Sequence, residues 1–332
     1  MNKKQVIIII CFLAVCFFIV NIDIINTFAE KIEDIGDIKD TEESQELLSY
    51  SISNMFFAAT EQELYEILSE QLMNRSKDFY INYQGVLNQE LKKIGKQLNS
   101  EKTETYWKGM YTLLQNMAEF VDDPTTTSDS DYLTGIIDSS FIYYVDGIFC
   151  FESMEYYETE AQTKKVDVKI KKIVKKLKLS KDTEPEIIVE QIHKYIIQQV
   201  TFDHRNENKC YYSAYHGLFK QKTVCNGYAL LAYKMLNMLD IPCKYISGMA
   251  KNEDGDLLLH AWNIVKIKKK WYNLDVTWDD NDDGRIYYDY FLRGSKLFNK
   301  DHKADSWYKT DLFLEKYKIS KADYKKEGMN NI

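Results

Sequence analysis

The chain reads TVCNGYA at residues 223–229, LLHAWN at 258–263 and WYNLDVTWDD at 271–280. These three segments place Cys225, His260 and Asp275 in that order along the sequence. A thiol attacks a carbonyl group efficiently only as the thiolate, and it needs a neighbouring base that a third group holds in place. The three segments therefore carry the residue types of cysteine-nucleophile chemistry.

Cys225 stands at the start of a predicted helix. Apolar residues recur after it at helical spacing, at Tyr228, Leu230, Leu231, Met235, Met238 and Leu239. The pattern stops at Asp240-Ile241-Pro242, where proline ends a helix. The partial positive charge of the first helical turn favours a thiolate at Cys225.

A predicted β-hairpin brings His260 and Asp275 together. Residues 257–267 and 270–276 are rich in branched and aromatic side chains, and Lys268-Lys269 separates them. A two-residue turn places Asp275 opposite Trp262, and His260 shares a face with Trp262 because side chains alternate along a strand. His260 and Asp275 are then diagonal neighbours, whereas a three-residue loop would break this parity.

The segments VCNGYA, HAWN and LDVTWDD resemble the three motif blocks of the bacterial transglutaminase-like superfamily. The resemblance covers roughly residues 184–291 and implies a papain-like triad. In that triad Cys225 is the nucleophile, His260 is the general base and Asp275 orients the base. The sequence departs from its relatives at the hairpin turn, where they often have glycine and this chain has lysines.

The resemblance implies an α+β fold, in which the Cys225 helix packs on an antiparallel sheet that carries His260 and Asp275. It implies acyl transfer through a thioester on protein or peptide amides, without a metal or an organic cofactor. A lysine amine as acceptor gives a crosslink, and water gives a peptidase or amidase. A catalytically silent module that binds peptide or wall polymer is the third hypothesis. Tyr215 is a candidate second oxyanion donor by resemblance, or an aromatic packing residue.

The composition describes a globular, acidic chain. It has 332 residues, of which 45% are hydrophobic and 28% charged, enough for two modest domains. The formal net charge of −8 argues against a nucleic-acid partner, because binding to phosphates needs a basic surface.

The N-terminus predicts export. Lys3-Lys4 precede an apolar run over residues 6–20, and Thr27-Phe28-Ala29 supplies a small-residue cleavage site. The alternative is an uncleaved anchor, although the run is short for a span of about 20 residues. Either way we expect an extracellular or cell-surface enzyme that acts on surface proteins or peptides. It would contact the membrane only through an uncleaved N-terminal segment.

The sequence predicts six parts: a signal peptide or membrane anchor (1–29), a linker (30–59), an α+β domain (60–158), a connecting helix (159–183), a transglutaminase-like catalytic domain (184–300) and a C-terminal extension (301–332). Within 60–158 we expect a capping box at Thr60–Glu63, helices over 61–75 and 104–120, a helical stripe over 87–98, a strand over 79–83, a loop over 122–131, and one or two strands within 141–157.

Several other features have plain structural explanations. The lysine-rich stretch 160–180 is either a solvated helix face or a surface for anionic polymers. Asp279–Gly284 matches half of a calcium loop, but its twelfth position is Tyr290, so an acidic surface turn is favoured. The three tryptophans Trp262, Trp271 and Trp278 fit either a cleft or a core.

The remaining cysteines and histidines show no partner in the sequence. Cys150, Cys210 and Cys243 form no CxxC pair, so they signal neither a zinc site nor a disulfide framework, though one disulfide is open. Cys243 fits a buried small side chain at a strand start. The four histidines His193, His204, His216 and His302 lack any pairing pattern.

Overall fold

The computed structural model describes residues 54–121, 130–145, 147–204, 209–252, 254–281, 283–309 and 311–325. Within these ranges, no helix combines the length and the apolar character needed to cross a bilayer. The predicted signal peptide or anchor lies outside the described residues, as does the predicted linker up to residue 53.

The N-terminal half is a four-stranded sheet with helices. Its strands lie in the order β1-β2-β4-β3, with β1 parallel to β2 and the other pairs antiparallel. The elements are β1 (Met55–Ala58), α1 (Glu61–Met73), β2 (Phe79–Tyr83), α2 (Gln89–Leu98), α3 (Thr103–Val121), α4 (Ser130–Gly135), β3 (Ile137–Val145) and β4 (Ile148–Tyr156).

Local signals account for most of these elements, with three corrections. Thr60 accepts the Glu63 N–H at the start of α1, but the Glu63 carboxylate accepts from the Ala59 N–H, so the reciprocal bond of a capping box is absent. The end of the predicted linker is instead strand β1, whose backbone pairs with β2. Helix α4 begins inside the predicted loop 122–131, of which residues 122–129 lie outside the described part.

The C-terminal half holds a second antiparallel sheet in the order β10-β7-β8-β9. Its elements are α5 (Glu160–Lys176), α6 (Pro185–Gln199), β5 (Thr201–Phe202), α7 (Ala214–Lys220), β6 (Lys222–Thr223), α8 (Cys225–Asn237), β7 (Cys243–Lys251), β8 (Leu257–Ile267), β9 (Lys270–Leu274), α9 (Ser295–Phe298), β10 (His302–Ala304) and α10 (Asp311–Lys316), with short 3₁₀ segments at Lys209–Tyr212 and Ser306–Lys309.

Helix α5 has a solvated face of lysines, which is expected for either interpretation of this stretch. A capping box of Thr159 and Gln162 opens it, and Val166, Ile170 and Ile173 are buried. Its lysines are exposed. Helix α6 begins with Pro185 at its first position, where the missing N–H has no cost.

The β8–β9 hairpin has the predicted two-residue turn. Ile267 pairs with Lys270, and Asn263 pairs with Leu274. Lys268 adopts a left-handed backbone with φ of 56°, a conformation that glycine takes without steric cost. Lys268 thus adopts the backbone conformation that the two-residue turn needs. The strand register that places Asp275 beyond the end of β9 is therefore kept.

The catalytic-domain sheet extends past residue 300, where the C-terminal extension was predicted to begin. Strand β10 pairs with β7, with His302 opposite Ala250. A separate apolar cluster covers this side of the sheet, with Ile246, Trp262, Ile264, Trp271, Phe298, Tyr308 and Tyr317 as its buried members. Local patterns could not assign this three-residue strand, because only its pairing with β7 defines it.

The two halves share one hydrophobic core, and Glu158 joins them by hydrogen bonds. The core cluster runs from Ala58 to Leu292. The Glu158 carboxylate is buried and accepts from the Tyr132 hydroxyl at 2.5 Å, the Thr163 hydroxyl at 2.7 Å and the Tyr215 N–H at 3.2 Å. One carboxylate thus links α4, α5 and α7.

We expect Glu158→Ala to lower the free energy of unfolding by about 2–4 kcal/mol, because three buried donors lose their acceptor. Urea denaturation of both proteins measures this change. The control is Glu155→Ala, at an exposed position near the end of β4, which should change stability by less than about 0.5 kcal/mol. Equal small effects of both substitutions would contradict the role of Glu158 in linking the two halves by hydrogen bonds.

Candidate active site

Cys225 is the first residue of α8. Val224 precedes it in an extended conformation, without a side-chain cap, and its N–H is fixed by the Tyr211 carbonyl at 3.1 Å. The amides of a first helical turn have no acceptor within the helix, so they can face an anion. Cys225 is partly exposed, whereas Cys150 and Cys243 are buried free thiols, as predicted for Cys243.

The residues after Cys225 fix the start of α8. The Asn226 amide donates to the carbonyls of Tyr212 at 2.6 Å and Gly135 at 2.9 Å, and its oxygen accepts the Tyr245 hydroxyl at 2.6 Å. Gly227 approaches Thr223 so closely that an added Cβ would lie 1.9 Å from the Thr223 hydroxyl oxygen. The glycine of the CNGY segment is therefore required by packing.

His260 and Asp275 form a buried pair. His260 Nε2 lies 2.6 Å from Asp275 Oδ2, as the hairpin register predicts. Asp275 is fully buried just beyond β9, and its Oδ1 accepts the N–H groups of Thr277 at 3.0 Å and Trp278 at 3.3 Å. Asp275 occupies only one of the two ring nitrogens of His260, and Cys225 lies close enough to His260 to raise its pKa.

Charge complementarity outweighs burial at this pair. Burial alone would lower the pKa of His260, but the charges of Asp275 and Cys225 and their hydrogen bonds raise it to about 10. Burial would raise the pKa of Asp275, but His260 and His302 bring it well below its usual range. The geometry thus favours an imidazolium between a carboxylate and the thiol.

His302 also reaches Asp275, which corrects the expectation that it has no partner. Its side chain is fully buried on β10, with Nε2 at 3.1 Å from Asp275 Oδ2 and Nδ1 at 2.6 Å from Asp301 Oδ1. The sequence offers no local signal for this contact, because the pairing of β10 with β7 creates it.

Two of the three tryptophans surround the imidazoles. The Trp278 ring lies 5.3 Å from His260 and 4.5 Å from His302, and the Trp262 ring lies 6.2 Å and 5.2 Å from them. Trp271 packs instead against Tyr317. These rings lower the local polarity, so the charges around Asp275 interact more strongly than in water.

A second buried pair joins His193 of α6 to Asp279. His193 Nε2 lies 2.9 Å from Asp279 Oδ2, so His193 too has a partner that the sequence did not indicate. Asp279 is fully buried and also accepts the Tyr290 N–H at 2.8 Å. It is therefore neither a surface residue nor available as the first ligand of the suggested calcium loop.

Tyr215 has contacts away from the thiol. Its N–H is bonded to Glu158, and its ring stacks on Phe219 at 4.7 Å, which fits the packing role. Tyr245, on β7, also belongs to the site, although no local sequence pattern indicates it. Burial, followed by the charges of Tyr308, Tyr111 and Cys225, raises the pKa of Tyr245 well above normal. The Tyr245 hydroxyl is therefore neutral, and it lies beside Asn226, the residue that follows Cys225.

Fold and site together define a class: an α+β protein with a papain-like core, in which a cysteine at a helix N-terminus faces a buried histidine–aspartate pair. Residues 171–276 match the family described as the transglutaminase-like superfamily. The chain thus contains a transglutaminase-like domain, as the sequence motifs predict.

The chain is similar to curated proteins over part of its length. It is 32% identical over 101 residues to the Kyphoscoliosis peptidase of Mus musculus and to that of Homo sapiens. The match covers 26% of this chain and only 15% of each relative.

Two solved structures also match. One, provisionally assigned as a cysteine protease, comes from Cytophaga hutchinsonii; it is 26% identical and covers 30% of this chain and 33% of its own, with a TM-score of 0.25. The other is described as a TGase; it is 16% identical and covers 76% of this chain and 66% of its own, with a TM-score of 0.33.

We expect Gly227→Ala to lower the free energy of unfolding by about 1–3 kcal/mol, because the methyl group overlaps Thr223 and forces α8 to shift. Gly217→Ala is the matched control, since its nearest neighbour would be 3.4 Å away and alanine favours the helix. Chemical denaturation measures both variants. Equal stability of Gly227→Ala and the wild type would show that the close approach is not required.

Asp279 should make stability depend on pH. Burial, partly offset by His193, raises its pKa from 3.8 to about 6. A carboxyl group whose pKa is higher in the folded state than in the unfolded state stabilises the fold below its unfolded pKa. This stabilisation is lost as the pH rises through its folded pKa. Between about pH 4.5 and pH 7.5, the wild type should lose about 1–3 kcal/mol relative to Asp279→Asn. Urea unfolding at both pH values measures the difference, and parallel profiles would contradict this origin.

Proposed function

We propose that the protein is an exported cysteine-dependent enzyme that transfers the acyl group of protein or peptide amides through a thioester. In this proposal Cys225 is the nucleophile, His260 is the general base and acid, and Asp275 orients His260. The observation that carries it is the arrangement of the three residues: Cys225 begins α8, His260 is hydrogen-bonded to Asp275, and Cys225 and Asp275 both raise the pKa of His260.

In the first half-reaction the Cys225 thiolate adds to the amide carbonyl carbon, and the carbonyl electrons move to the oxygen. The free amides of the first turn of α8, including that of Cys225, are the available donors to this oxyanion. When the intermediate collapses, the C–N bond breaks and the His260 imidazolium gives its proton to the leaving amine. The acyl group is then held as a thioester on Cys225.

In the second half-reaction an acceptor attacks the thioester while His260 takes the acceptor's proton, and the thiolate leaves. Water as acceptor yields a carboxylic acid, and a primary amine yields a new amide. The peptidase names of the curated relatives support hydrolysis, whereas the family description supports amine transfer. The steps up to the thioester are the same for hydrolysis and for amine transfer.

Export is proposed from residues 1–29 alone, with their basic start, apolar run and small residues before the proposed cleavage after Ala29. An exported enzyme would meet surface proteins or wall peptides as substrates. Mass spectrometry of the protein released by intact cells, and of the protein in their cytoplasm, tests the proposed export. An N-terminus at Glu30 in the released protein supports cleavage, and full-length protein confined to the cytoplasm would refute export.

The activity test compares wild type with Cys225→Ala after incubation with a glutamine-containing peptide library and a primary amine. We expect cysteine-dependent products by mass spectrometry: amine adducts identify a crosslinking enzyme, and cleavage or deamidation identifies a hydrolase. Asp275→Asn should lower the rate by about 10²- to 10⁴-fold, because the imidazole loses its orienting acceptor.

His216→Gln is the matched control, since His216 lies on α7 and bonds Ser213 rather than the site. It should retain the wild-type rate. If wild type and Cys225→Ala give the same peptide profile, the proposed chemistry is wrong and a binding module becomes the better account.

A further inference from the structure

Asp275 is shared by two imidazoles. Its Oδ2 lies 2.6 Å from His260 Nε2 and 3.1 Å from His302 Nε2, and its Oδ1 faces two backbone N–H groups. All four contacts are with groups that can donate. An ionised carboxylate can only accept, and it has room for about four hydrogen bonds, so this arrangement fits an ionised Asp275.

The far side of His302 is also bounded by a carboxylate. His302 Nδ1 lies 2.6 Å from Asp301 Oδ1, and the other oxygen of Asp301 accepts the Tyr290 hydroxyl at 3.0 Å. With carboxylate oxygens at both ring nitrogens, the hydrogen bonds of His302 are satisfied when both nitrogens carry a hydrogen. The ring is then held at both ends by hydrogen bonds, between Asp275 and Asp301.

Packing holds the ring of His302 in one orientation. It stacks on Phe298 with 4.0 Å between ring centroids, and Trp278 meets it edge-on at 4.5 Å. The backbone is held by the pairing of β10 with β7, and the Asp301 carbonyl accepts the Lys251 N–H at 2.8 Å. A side chain so constrained can fix the position of its hydrogen-bond partner.

We infer that His302 is a positioning residue, which holds Asp275 from the side opposite His260 and extends the chain of contacts from Cys225 through His260, Asp275 and His302 to Asp301. This inference rests on the proposed function, because His302 acts only through Asp275. Its effect is to keep the Asp275 carboxylate turned toward His260, so that the other nitrogen of His260 is presented to the thiol.

The test is the rate at which iodoacetamide alkylates Cys225, followed by mass spectrometry of the peptide that contains it. His302→Gln keeps a neutral donor near Asp275, and His302→Leu keeps none. We expect rates lower by about 10-fold for His302→Gln and about 100-fold for His302→Leu.

A double-mutant cycle separates positioning from a structural role. In the Asp275→Asn background, His302→Gln should change the alkylation rate by less than about twofold, because its only route to the thiol is already broken. Thermal unfolding of each variant checks that the fold is intact, and His216→Gln should alkylate like the wild type. An equal fall in both backgrounds, or no fall with Asp275 present, would overturn the inference.

Two further outcomes separate this inference from other failures. If wild-type Cys225 reacts no faster than free cysteine, the proposed function itself fails, whatever His302 does. The ligand atoms of His260, Asp275 and His302 lie within 4.8 Å of one another, so they could also hold a metal ion. One equivalent of zinc in the purified wild type, lost in His302→Gln, would replace the positioning role with a metal site.

Discussion

The buried carboxylate of Asp275 is the constraint on which the rest of the site depends. An ionised group without access to water is costly unless donors and opposite charge surround it. Asp275 meets this requirement with two imidazoles and two backbone amides. These groups come from β8, β10 and the turn after β9, so the sheet brings all of these segments together around one anion.

The packing of α8 places Cys225 near His260, which contacts this anion. Helix α8 lies on the sheet, and the N-terminal half covers its first turn: Asn226 bonds the Gly135 carbonyl of α4, while Asp131 of the same helix pairs with Lys244 at 3.0 Å. The N-terminal half therefore has a definite structural effect, which is to fix the end of α8 where the thiol meets His260. Gly227 permits the close contact with Thr223 that completes this arrangement.

Local sequence patterns could predict the hairpin and the cysteine helix, because strand alternation and helical periodicity fix which side chains share a face. They placed His260 beside Asp275 and Cys225 at a helix start, and the structure brings the three together. Contacts that depend on strand order or on distant segments were missed. His302 meets Asp275 across strands, and His193 meets Asp279 across 86 residues. Neither contact leaves a periodic signal, so both histidines look unpaired in the sequence.

The most direct test of the role of Asp275 is the pKa of its nearest partner. Nuclear magnetic resonance of histidine-labelled protein, with the His260 signal assigned from its loss in His260→Gln, measures that pKa by titration. The buried network predicts that the His260 pKa is raised from 6.5 to about 10, since Asp275 and Cys225 outweigh burial. A His260 pKa at or below 6.5 would show that the buried carboxylate does not organise the site.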